Sequence, residues 1–171
     1  MYCGFSKNID ENSQLHLAER TKVYFYCENH EKNRKYSFEN ALYAAKEGYV
    51  LYIIAQDITE LPVPLRDFTS LGIHYTKLIK ILNVRSLKTM MEKIATLTYW
   101  KTVPATIIIE GLDEFCPKDN LQQACGLVAF LIDTIKGCTM RLEQLCSLYV
   151  SINKDTVGDE YCNIIKDMYQ M

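Results

Sequence analysis

Glycine is scarce in this chain at the place where its absence matters most. Seven glycines occur in 171 residues, and none lies between Thr21 and Glu47. The backbone there must do without the residue that most readily adopts positive φ or lets another group approach closely. The seven cysteines are an odd number, form no CxxC pair and accompany only three histidines, so no zinc site or other metal site is expected. The start, MYCGFSKNIDENSQ, has no continuous apolar stretch of the kind a secretory signal needs. Reduced thiols in cytosol or nucleus are therefore expected, each acting as a small buried hydrophobe. The longest apolar run, YVLYIIA at 49–55, is too short to span a bilayer. A formal charge of -2 excludes a grossly basic protein while leaving room for a local basic patch.

What is present is an alternation of strand-like and helix-like segments. KVYFYC (22–27) is rich in aromatic and β-branched residues; YSFENALYAAKEG (36–48) supplies helix formers with apolar Phe38, Leu42 and Ala45, stopped at Gly48. YVLYIIA follows as a strand buried on both faces, completing a βαβ unit. Beyond a loop with Pro62 and Pro64, TKLIKILNV (76–84) predicts a strand and SLKTMMEKIATL (86–97) a helix capped by Ser86. ATIIIE (105–110) is the next buried strand. Asn120 then caps a long helix with apolar Leu121, Ala124, Cys125, Val128, Leu131, Ile132 and Ile135 at i, i+3, i+4, i+7 spacing. CSLYVSIN (146–153) closes the strands, and a last helix is expected over 158–169. This order predicts one domain over 21–171, an α/β fold with a mostly parallel sheet between helical layers, behind a loosely ordered segment 1–20.

Between the first strand and its helix stands ENHEKNRKYS, in the position of a phosphate-binding loop. A working GxxxxGK[ST] loop needs glycines so that successive backbone N–H groups turn inward around phosphate. One register puts His30 and Lys35 at the glycine positions and Tyr36 and Ser37 at the Lys and Ser/Thr positions. The other keeps Lys35 as the lysine, with Asn29, Arg34 and Tyr36 replacing Gly, Gly and Ser/Thr. Neither forms a cradle. The stretch reads either as a solvated connection or as a degenerate site touching phosphate through His30, Lys32, Arg34 and Lys35 at a helix N-terminus.

TIIIEGLDEF (106–115) has the outline of a Walker B strand: four residues compatible with a buried strand, then Glu110, with Asp113 and Glu114 beyond. Such acids orient magnesium or polarise water, and they also occur wherever a buried strand meets solvent. Lys32, Arg34 and Lys35 at the first turn, and Lys77, Lys80, Arg85, Lys88 and Lys93 further on, are candidates for neutralising nucleic-acid phosphates, without aromatic-basic interleaving. No GxSxG motif is present, and His16, His30 and His74 fit no family-specific triad spacing. In the long helix, Leu127, Ala129 and Phe130 add apolar surface outside the main stripe, which marks Leu127 and Phe130 as a candidate partner interface.

The order of elements resembles the RecA-type recombinase core, the three-layer P-loop NTPase class. More narrowly, TIIIEGLDEF, AFLIDTI, MRLEQLCSLYVSIN and NALYAAKEGYVLYI resemble the RecA-like recombinase paralogue that accompanies the SWIM-domain zinc-finger protein of the metazoan Shu complex, over residues 22–169. The resemblance implies a nuclear role in homologous recombination. It implies a heterodimer with the SWIM-domain protein, single-stranded or branched DNA as a ligand, and support of recombinase filament assembly. The family's phosphate loop is glycine-rich, whereas His30, Lys32, Arg34, Lys35 and Ser37 are not. The expectation is accordingly a pseudo-ATPase without ATP or magnesium, with a degenerate Walker B at Glu110, Asp113 and Glu114. A shortened C-terminus is also expected. A divergent hydrolase using Lys35, Glu110 and Glu114, or a pure scaffold, are the alternatives.

Overall fold

A computed structural model describes residues 21–56 and 73–169. The expectations for residues 1–20 and for the loop with Pro62 and Pro64 fall outside them. Five strands form one all-parallel sheet in the order β1-β5-β4-β2-β3. They are β1 (Lys22–Glu28), β2 (Val50–Ile54), β3 (Ile79–Asn83), β4 (Thr106–Glu110) and β5 (Ser147–Asn153). The helices are α1 (His30–Ala44), the single turn α2 (Ile73–Thr76), α3 (Leu87–Ala95), the turn α4 (Leu112–Phe115), α5 (Leu121–Leu142), the turn α6 (Lys154–Val157) and α7 (Asp159–Tyr169).

Alternating side chains of the central strands divide between two cores, as a pleated strand between two layers requires. Val50, Tyr52, Ile54 and Ile108 pack against Phe38, Ala41 and Leu42 of α1. Leu51, Ile53, Ile107, Ile109, Leu148, Val150 and Ile152 face the larger core built with α3, α5 and α7. Every residue of β2 and β4 is buried, which explains why both read as unbroken apolar runs. The three-layer α/β expectation thus holds at the level of layers and parallel strands.

Several boundaries differ from the sequence reading. The first helix starts at His30, six residues before the expected 36, because the Asn29 side chain caps it by accepting from Lys32 N at 2.9 Å. The strand expected over 76–84 is shorter, since Ile73–Thr76 winds into a helical turn first. Ser86 caps α3 as expected, accepting from Thr89 N at 3.2 Å. Asn120 does not cap α5 with its side chain and instead ends a 3-10 turn, Lys118–Asn120. The long helix also continues past Ile135 to Leu142, where Glu143 closes it in the left-handed region at φ 54°.

Candidate functional site

Parallel α/β sheets bind ligands outside the carboxyl ends of strands whose following helices depart to opposite faces. Here α1, which follows β1, covers one face, while α5, which follows β4, and α7, beyond β5, cover the other. That rule places a ligand crevice at the carboxyl ends of β1, β4 and β5. Of the residues singled out in the sequence, Arg34 and Glu110 meet there, with His30, Asp113 and Glu114 nearby.

Glu110 ends β4 and is only 3% exposed. Its Oε1 accepts from Arg34 Nε at 2.7 Å, and its Oε2 accepts from the Tyr52 hydroxyl. Burial, together with the carboxylate beside it, pushes the Tyr52 phenol far above its ordinary range, so the hydroxyl keeps its proton and stays a donor. Both oxygens are thus committed within the chain. A magnesium ion at this acid would have to displace a guanidinium and expose the buried pair.

The phase of α1 explains which basic residues take part. One face of its first turns presents His30, Asn33, Arg34 and Ser37 toward the sheet end, and Lys32 and Lys35 fall on the opposite side. Asn33 is 3% exposed and fastens the junction, with Nδ2 donating to Glu28 O at 2.9 Å and Ile152 O at 2.8 Å. Its Oδ1 accepts from Glu28 N at 3.2 Å. Ser37 is buried beside Tyr52. Lys32 pairs with Glu28 at 3.5 Å and Lys35 with Glu39 at 3.9 Å, both at the surface.

A single residue, Asn29, separates β1 from α1. The stretch read as a loop is therefore helix from its second residue after the strand. Its backbone N–H groups from Asn33 onward serve helical bonds, beginning with Asn33 N to Asn29 O at 3.0 Å. There is no span of free peptide to wrap a phosphate.

Gly111 follows Glu110 at φ 74°, and a Cβ there would lie 3.0 Å from Glu114 Oε1. Glycine is favoured at this turn, which also lets Gly111 N donate to Ser151 Oγ at 3.1 Å. Asp113 is buried and its Oδ1 accepts from Asn153 N at 2.8 Å, tying the acid turn to β5. Burial raises the Asp113 carboxyl above its usual range, partly offset by that bond and by the nearby His30. Glu114 is raised as well, by burial first and then by Asp113.

No family model matches the chain, and no curated protein is significantly similar to it.

Among the described residues no group of three or more His, Cys, Asp or Glu side chains is arranged to hold a metal ion. None of the described helices is long and apolar enough to cross a membrane. The second basic group lies by β3, at the margin of the sheet opposite β1. Within it, Lys80 Nζ sits 4.7 Å from the centre of the Trp100 ring and Lys88 pairs with Glu92 at 4.0 Å. Leu127 corrects the sequence reading: it is 2% exposed, inside this chain's own core, and is no outer surface. Phe130 is half-buried against the same core.

Sequence reasoning missed Asn33, Tyr52, Ser151 and Asn153. The signal for Asn33 was available, as a polar residue on the inward phase of a helix whose later residues there are apolar. Tyr52 gave none, since one tyrosine in YVLYIIA looks like any other core residue.

Proposed function

We propose that the chain is a non-catalytic RecA-like subunit acting in homologous recombination, pairing with a SWIM-domain zinc-finger protein and supporting recombinase filaments on DNA in the nucleus. The observation that carries the non-catalytic part is the Arg34–Glu110 contact, with the Tyr52 hydroxyl on the second oxygen. The acid that would orient magnesium is neutralised from within by a residue of the would-be phosphate loop, and the one-residue connection leaves no cradle. The parallel sheet, the fully buried acid-bearing strand and the order of elements support the RecA-like assignment. The recombination role rests on the resemblance of TIIIEGLDEF and the segments around it.

DNA contact in this reading is electrostatic and centred on Lys32 and Lys35, because Arg34 is committed to Glu110. Recovery of bound proteins with a tagged full-length chain tests the assignment: a SWIM-domain zinc-finger protein is expected in equal amount, and its absence from a stable, folded bait would refute it. A divergent hydrolase is the second reading, favoured by the raised carboxyls of Asp113 and Glu114 beside His30 at the crevice. Thermal stabilisation by magnesium-ATP would support it, since a ligand at 100 times its dissociation constant adds about 2.7 kcal/mol.

A further inference from the structure

β1 pairs with β5 on one side, and among the described residues it pairs with nothing on the other. Lys22 N donates to Cys146 O, so the N–H and C=O groups of Lys22, Tyr24, Tyr26 and Glu28 point toward β5. Those of Val23, Phe25 and Cys27 consequently point outward. A row left unpaired among the described residues is a template for another strand.

The sequence of the strand, KVYFYCE, is self-complementary when reversed. Antiparallel pairing about Phe25 sets Val23 against Cys27 of the second copy and Phe25 against Phe25. These are the outward-pointing residues that must exchange hydrogen bonds. The same register sets Lys22 against Glu28 and Tyr24 against Tyr26, twice each, as the non-hydrogen-bonded pairs whose side chains approach most closely. Opposite charges meet at both ends and aromatic pairs between them. A shift of the register by one residue would place the outward groups against groups that point away.

Side chains on both faces are in place for such an extension. On the α1 face, Tyr24 stacks on Tyr149 at 4.8 Å and Tyr26 on Tyr36 at 5.6 Å, and Tyr24 and Tyr36 remain 38% and 40% exposed. On the other face a groove of about 600 Å³ runs beside the start of β1, lined by Val23, Ala129, Ile132 and Met168. Met168 on α7 is 55% exposed at its rim.

We propose that two copies of this chain associate through β1 in antiparallel register, joining their sheets across a twofold axis at Phe25. This surface meets the carboxyl end of the sheet only at Glu28, which Lys32 also contacts, and the inference does not depend on the recombination reading. Sedimentation velocity of the full-length chain over a wide concentration range is expected to show a reversible monomer–dimer equilibrium. Lys22→Glu or Glu28→Lys should each weaken the dimer about tenfold, because both symmetric ion pairs become like-charged. The double exchange should restore it to within about threefold of the parent. Val23→Pro, which removes an outward N–H without touching the β5 ladder, should weaken it by at least about thirtyfold. Circular dichroism and melting temperature of Lys22→Glu, an exposed position, report that the fold is intact. A monomer at every concentration, a dimer indifferent to the charge exchange, or an edge filled only when a different protein is co-expressed would overturn the proposal.

Discussion

Arg34 and Glu110 show how one residue pair decides the chemistry of a whole site. A buried carboxylate at the end of a central strand is costly unless paired, and the Arg34 guanidinium is its partner here, which under the proposed function would also keep the acid from magnesium. Arg34→Ala is expected to destabilise the fold by about 3 kcal/mol or more in chemical unfolding, since Glu110 would be left buried against Tyr52 alone. Adding Glu110→Gln should recover part of that loss. A surface ion pair would give less than about 1 kcal/mol and no such coupling. Asp113 behaves in the opposite sense. Its carboxyl is raised in the folded state, so the native protein binds the proton more tightly than the unfolded chain does. Its titration favours folding below the unfolded value and works against it as pH rises through the folded one. Asp113→Asn, which keeps the acceptor for Asn153 N, is therefore expected to raise the melting temperature at neutral pH. The gain should fade as pH falls below about 4, as Asp113 of the unfolded chain takes up its proton too.

At the scale of elements, the decisive feature is how soon α1 begins. Hydrophobic periodicity locates a helix by its apolar stripe, and HEKNRKY has none. Its inward positions carry His30, Asn33, Arg34 and Ser37 because the first two turns face strand ends and an acid, where polar groups are needed. Only from Phe38 does the helix reach the apolar sheet, and that is where its apolar stripe becomes readable. The Asn29 cap shows only in the structure, since the sequence reading placed Asn29 at a glycine position of the loop. The strands β2 and β4 were legible because burial between two helical layers leaves apolar runs, and β5 through Leu148, Val150 and Ile152. The contact between the two degenerate motifs was not legible, because an ion pair between Arg34 and Glu110 is a product of topology. At the other end of the long helix, Glu143 sits at φ 54° where glycine is favoured. Glu143→Gly should stabilise the protein by roughly 0.5–1 kcal/mol in thermal or denaturant unfolding, by relieving the Cβ in the left-handed region.

For the molecule as a whole, the layers place two separate basic regions on a chain of slightly negative charge, at α1 and along β3 with α3. If DNA lies against α1, Lys32→Ala with Lys35→Ala should weaken binding uniformly across sequences and lower the salt slope by about 2, one for each phosphate no longer neutralised. Unchanged binding would move the contact to Lys77, Lys80, Lys88 and Lys93. The proposed function turns on one point: the carboxyl ends of the parallel strands would be the place of a nucleotide site, closed from inside by the Arg34–Glu110 pair. Isothermal titration of magnesium-ATP into the full-length chain tests this most directly. No saturable heat and no hydrolysis are expected. Saturable micromolar binding that Lys35→Ala or Glu110→Gln abolishes would contradict the claim.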